Sequence, residues 1–72
     1  MAFTNEELQK IKADLPRGAQ RKLAVQFNLS YGAIRNILAG NHNNDEVVLA
    51  AFEMGRDYQQ KLEQAKKTLS LA

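Results

Sequence analysis

Between Gln20 and Ala39 the chain reads QRKLAVQFNLSYGAIRNILA, and this stretch constrains the fold more than any other. Leu23, Ala24, Phe27, Leu29, Ile34, Ile37 and Leu38 recur at the three- and four-residue spacing of two short amphipathic helices, broken by the Asn28-Leu29-Ser30 turn. A pair of such helices must pack across each other to cover their apolar stripes, and Ala24 is small enough to sit at the crossing. Asn28 is suited to a left-handed turn position, where Asn is the best substitute for Gly. Ser30 is a good N-cap for the second helix of the pair, about Tyr31 to Leu38, which stops at Gly40.

The rest of the chain supplies what would cover this pair. Thr4 followed by Glu7 is a capping box, and Leu8, Ile11 and Leu15 mark a first helix from about Asn5 to Asp14, ended by Pro16. The Leu15-Pro16-Arg17-Gly18 link leads into helix two, about Ala19 to Phe27. Asn43 with Glu46 forms an Asn-led capping box, and no proline follows it, so a fourth helix of about 25 residues is expected from Asp45. Val47, Val48, Ala51, Phe52 and Met54 give its first half the apolar surface to close the core. Along the same helix Val48, Gly55, Leu62 and Leu69 fall seven apart, interleaved with Ala51, Tyr58, Ala65 and Ala72. The expected architecture is therefore all-α: one small four-helix domain spanning residues 1–72, with a helix-turn-helix at helices two and three, a core over about 4–54 and a C-terminal helix extension over about 55–72.

Charge is segregated along this architecture. From Leu15 to Asn44 the chain carries Arg17, Arg21, Lys22 and Arg35 and no Asp or Glu, so all eight acidic residues lie outside that window. The net charge of +2 is modest, and the segregation rather than the total is what matches a polyphosphate, because neutralising phosphates releases condensed counterions. Seventy-two residues bury only about 60 % of their unfolded surface and leave no room for both a core and an enzyme cleft. The absence of cysteine excludes disulfides and thiolate metal sites, and His42 alone cannot assemble a metal site or a nucleophile–base pair. The reading is a non-enzymatic protein without cofactor or evident small-molecule ligand. MAFTNEELQK lacks the features of a signal peptide and no run approaches the roughly 20 apolar residues of a membrane span, so the expected location is the cytoplasm, on the nucleoid, with no membrane partner.

The residues Gln20, Leu23-Ala24, Asn28-Leu29-Ser30, Ile34, Ile37 and Gly40-Asn41 resemble the helix-turn-helix of the phage-repressor and Xre-like (lambda-repressor-like) family of DNA-binding proteins. Two departures stand out: Asn28 replaces the usual turn Gly, and four helices are expected where the family typically has five. The resemblance covers helices one to three and the start of helix four.

It implies a transcription regulator, a repressor being typical, that binds double-stranded DNA with helix three in the major groove and helix two across the backbone. The outward residues of helix three are then Ser30, Tyr31, Gly32, Ala33, Arg35 and Asn36. Arg35 matches guanine N7 and O6, and Asn36 matches adenine N6 and N7. Gly32 allows close backbone approach. Tyr31 is open to three readings: a phosphate contact, a cover for a thymine methyl, or an edge cap on the core. Gln20 and the first-turn amides of helix two form a phosphate cradle, and Arg17, Arg21, Lys22 and Asn41 supply register rather than sequence. His42 reads as a surface residue, and Lys66 and Lys67 suit the negative end of a helix.

Because one module makes few base contacts, a homodimer is expected, through the seam Tyr58, Leu62, Ala65 and Leu69 of the C-terminal helix. The competing function is a helical protein–protein interaction module, antitoxin-like or adaptor, acting through that same helix.

Overall fold

In the computed structural model, which describes residues 3–71, the chain folds as α1 (Asn5–Asp14), α2 (Ala19–Phe27), α3 (Tyr31–Leu38) and α4 (Asp45–Leu71), with no strand among the described residues. The fold is all-α with a long last helix, as the apolar spacing requires.

Local chemistry sets each boundary. The Thr4 hydroxyl accepts from the Glu7 amide at 3.1 Å while the Thr4 amide donates to Glu7 Oε1 at 2.8 Å, a complete capping box for α1. Leu15 is extended, as a residue before proline must be, and α1 ends there. Asn28 takes up the left-handed conformation at φ 55°, and the Leu29 amide returns to the Ala24 carbonyl at 2.9 Å, closing α2. Ser30 Oγ accepts from the Ala33 amide at 3.0 Å and starts α3. At the other end of α3, Gly40 has φ 89°, and the Asn41 amide reaches back to the Asn36 carbonyl at 2.9 Å in a Schellman closure.

One cap differs from the sequence reading. Asn44, not Asn43, caps α4, its Oδ1 accepting from the Val47 amide at 3.3 Å. Either Asn can cap a helix, but only Asn43 has Glu three residues on; with Asn44 as the cap that position is Val47, so the expected capping box is not formed among the described residues. The choice falls to packing, since Val47 and Val48 must both enter the core.

Leu8 and Ile11 of α1, Leu23 of α2, Ile34, Ile37 and Leu38 of α3, and Val47, Val48 and Ala51 of α4 form a single apolar cluster. Leu8, Leu23, Ile34, Leu38 and Val47 are fully enclosed, each stabilising the fold by about 1.5–3 kcal/mol relative to exposure. Among the described residues no polar or charged side chain is buried. No helix among them is long and apolar enough to cross a membrane.

Two residues expected to close the core lie at its edge. Phe52 is 46 % exposed in the groove between α1 and α4, with the Arg56 guanidinium 5.8 Å from its ring centroid, and Leu29 is 37 % exposed beside the turn. Packing of α4 also runs past Met54. Gly55 is buried where a Cβ would stand 3.2 Å from Asp14 Cβ, so the end of α1 sits directly on the α4 backbone. One turn further, Gln59 Nε2 donates to the Asp14 carbonyl at 3.3 Å.

Candidate nucleic-acid interface

The turn between α1 and α2 and the first turn of α3 stand side by side and create a polar face. Arg17, Gln20, Arg21 and Tyr31 line a cleft of about 240 Å³, and Gly32, Arg35, Asn36 and Asn41 line a neighbouring one of about 390 Å³. Lys12, from the last turn of α1, borders both. No carboxylate lines either cleft.

Tyr31 joins the two clefts electrostatically. Its ring is 46 % exposed, with the Arg21 guanidinium 5.8 Å and the Arg35 guanidinium 6.0 Å from the centroid. At such an exposed site each contact is worth about 0.5–1 kcal/mol, enough to bias the two guanidinium groups toward this face without fixing them.

The start of α2 adds a second electrostatic element. Gly18, at φ 82°, precedes the helix and offers no side-chain cap, and no acidic residue occupies the first turn. The Ala19 amide is held by the Pro16 carbonyl and the Lys22 amide by that of Gly18. The Gln20 and Arg21 amides between them have no backbone partner among the described residues, and they open at the cleft edge with the positive end of the helix dipole.

Gly32 occupies the second position of α3 and is exposed; a Cβ built there meets nothing within 4 Å. Nothing inside the chain calls for glycine at this position, although glycine weakens a helix by roughly 0.5–1 kcal/mol relative to alanine.

Of the residues singled out from the sequence, Arg17, Gln20, Arg21, Tyr31, Gly32, Arg35, Asn36 and Asn41 lie around this double cleft. Ser30 is exposed at its edge, its hydroxyl oxygen engaged as the α3 cap. Lys22 is exposed on α2 and lines neither cleft. Lys12 was not among the expected contacts, because it lies outside the acid-free window. The signal for it is positional: it follows Ile11, so it emerges beside the buried stripe of α1 just before the turn into α2.

The seam residues stand apart from this face. Val48, Ala51 and Gly55, the first half of the heptad pattern, are already buried against α1–α3. Tyr58, Leu62, Ala65 and Leu69 continue the same side of α4 beyond the core, with Tyr58 36 % and Leu69 75 % exposed. Ala72, the last seam position, lies outside the described residues.

The class that this geometry defines is an all-helical domain with a helix-turn-helix pair beneath a carboxylate-free, arginine-rich face. Comparisons with protein-family models, with curated proteins and with solved structures return no match for this chain.

Proposed function

We propose that the protein is a sequence-specific double-stranded DNA-binding protein, a small transcriptional regulator of phage or bacterial type that reads the major groove with α3 and acts as a homodimer through α4. The observation that carries this reading is the convergence on one face of Lys12, Arg17, Arg21 and Arg35 with Gln20, Asn36 and Asn41, without a carboxylate among them.

In this arrangement the roles divide by position. Arg35 and Asn36 have the bidentate geometries that discriminate guanine and adenine in the major groove, at about 1–3 kcal/mol for each good pair. Lys12, Arg17, Arg21 and the open amides of Gln20 and Arg21 hold phosphates on either side and fix the register of α3. Gly32 brings the α3 backbone close to the base edges. Tyr31 keeps Arg21 and Arg35 turned to the same face. Regulation follows from occupancy: a bound dimer blocks or recruits by where it sits, without cofactor or chemical step.

The test is selection from a randomised duplex pool at two salt concentrations. An enriched half-site supports the reading. Binding without enrichment limits it to backbone contact, and no binding at low salt overturns it. The exposed apolar strip of α4 favours a second reading, an adaptor or antitoxin-like module that meets another protein there; on that reading Arg35→Ala leaves the protein's activity unchanged.

A further inference from the structure

α3 stands as a ridge between two clefts of opposite chemistry. On one side lie Gly32, Arg35 and Asn36, which carry hydrogen-bonding groups to the surface. On the other, Leu29, Ala33 and Ile37 line a cleft of about 260 Å³ that His42, Asn43 and Asn44 complete from the link to α4. No carboxylate is among its lining residues, so the acid-free face continues past α3. The clefts between α1 and α4 differ: Asp14 lines both, with Glu63 in one and Glu7 in the other. Within the acid-free face the α3 flank with Leu29 is the apolar part. Ile37 is buried and Ala33 half-buried, while Leu29, beside the turn, remains 37 % exposed.

We infer that Leu29 and Ala33 read a thymine methyl group and so fix the identity of one base in the half-site. The inference rests on the DNA reading above and deepens it. A helix in the major groove meets base edges, and these are hydrogen-bond donors and acceptors apart from the apolar C5-methyl of thymine. A donor or acceptor set against Leu29 would lose its water without gaining a partner, which disfavours the edges of the other three bases there. The thymine methyl loses nothing and buries apolar area. At about 0.8 kcal/mol for a group of this size, the contact is worth about fourfold in affinity. Tyr31 is the other side chain able to cover a methyl group, but it belongs to a different flank. Ala33 is two residues from both Tyr31 and Arg35, about 200° round the helix, and Tyr31 lines the cleft of Arg17 and Arg21 instead. α3 therefore offers hydrogen bonds on one side and a methyl-sized apolar contact on the other.

Deoxyuridine is thymine without this methyl group, so it tests the contact from the DNA side and leaves the fold untouched. Each thymine of the duplex selected from the randomised pool is replaced in turn, and affinity is read by fluorescence anisotropy for the wild-type chain, Leu29→Ala and Tyr31→Ala. The expected result for the wild-type chain is a loss of about fourfold at one thymine. With Tyr31→Ala overall affinity falls but that ratio stays; with Leu29→Ala the ratio drops to about one. Because the ratio compares two duplexes in one protein preparation, any unfolded fraction cancels. Ala33→Ser sets a hydroxyl group against the same methyl and should lower the ratio too, which keeps the test intact if Leu29→Ala does not fold. Wild-type ratios near one at every thymine, or an enriched half-site without thymine, overturn the inference and leave the DNA reading standing. A fourfold effect that survives Leu29→Ala, or that vanishes with Tyr31→Ala, overturns it as well. If no duplex is enriched, the DNA reading fails and the inference falls with it.

Discussion

Gly32→Ala is expected to stabilise the fold and to weaken the grip on DNA. The added methyl group points into open space, with no atom of the chain within 4 Å, so the substitution brings no internal strain. Alanine in place of a helical glycine gains about 0.5–1 kcal/mol. Position 32 is the second residue of α3, where the helix is still open at one end, so the lower part of that range applies. For a domain of this size about 0.5 kcal/mol raises the melting midpoint by roughly 2–4 °C. At a protein–DNA contact the same methyl group acts as overpacking, which costs typically 1–3 kcal/mol. That corresponds to roughly 5- to 150-fold in affinity. Thermal denaturation followed by circular dichroism gives the first quantity, and fluorescence anisotropy with the selected duplex gives the second. A midpoint that rises with affinity unchanged would refute the close approach of α3 to the groove. A midpoint that falls would refute the open space above Gly32.

Arg35→Ala should lose about 1–3 kcal/mol of binding and relax the preference at one base position, while Arg17→Ala should weaken all duplexes alike and lower the salt slope by about one; affinity measured across single-base variants and salt distinguishes them. Ser30→Asp keeps a good N-cap for α3, so urea denaturation should show stability changed by no more than about 0.5 kcal/mol, yet it sets a carboxylate at the edge of the candidate interface and should cut affinity in the duplex titration. Gly40→Ala should destabilise by about 1–2 kcal/mol, because position 40 holds φ 89°. Its new Cβ would also stand 2.8 Å from Asn5 Oδ1, but Asn5 is exposed and can swing aside, so the contact adds little; urea denaturation measures the sum.

The four helices are legible in the sequence because their ends are written in local chemistry. Thr4 with Glu7, Pro16, Asn28, Ser30 and Gly40 each act within a few residues, and each acts where the pattern puts it. The cap of α4 is less legible because the capping-box pattern favours Asn43, whereas the burial of Val47 and Val48 goes with a helix that starts after Asn44. Hydrophobicity alone puts Phe52 in the core, yet core membership depends on which side of α4 faces α1–α3, and Phe52 lies on the flank of that side. The candidate interface was largely legible from the acid-free window. Lys12 escaped it because its proximity to Arg35 and Asn36 is created by the packing of α1 beside α3, which no local pattern encodes. The seam was legible as a period, but not its division between core and free surface.

Gly55 and Gln59 tie α4 to the end of α1, and the helix then continues unbroken to Leu71. Core and free strip therefore share one rigid axis, and the number of residues between them sets an angle as well as a length. One residue inserted after Gln60 would turn the strip by about 100° about that axis and carry the Tyr58-side and Leu69-side halves out of line. Seven inserted residues would nearly restore the alignment and lengthen the arm by about 10 Å. Changes of length in this helix are thus constrained to steps close to whole heptads, because those steps keep the free apolar strip on the side of the helix that the core occupies.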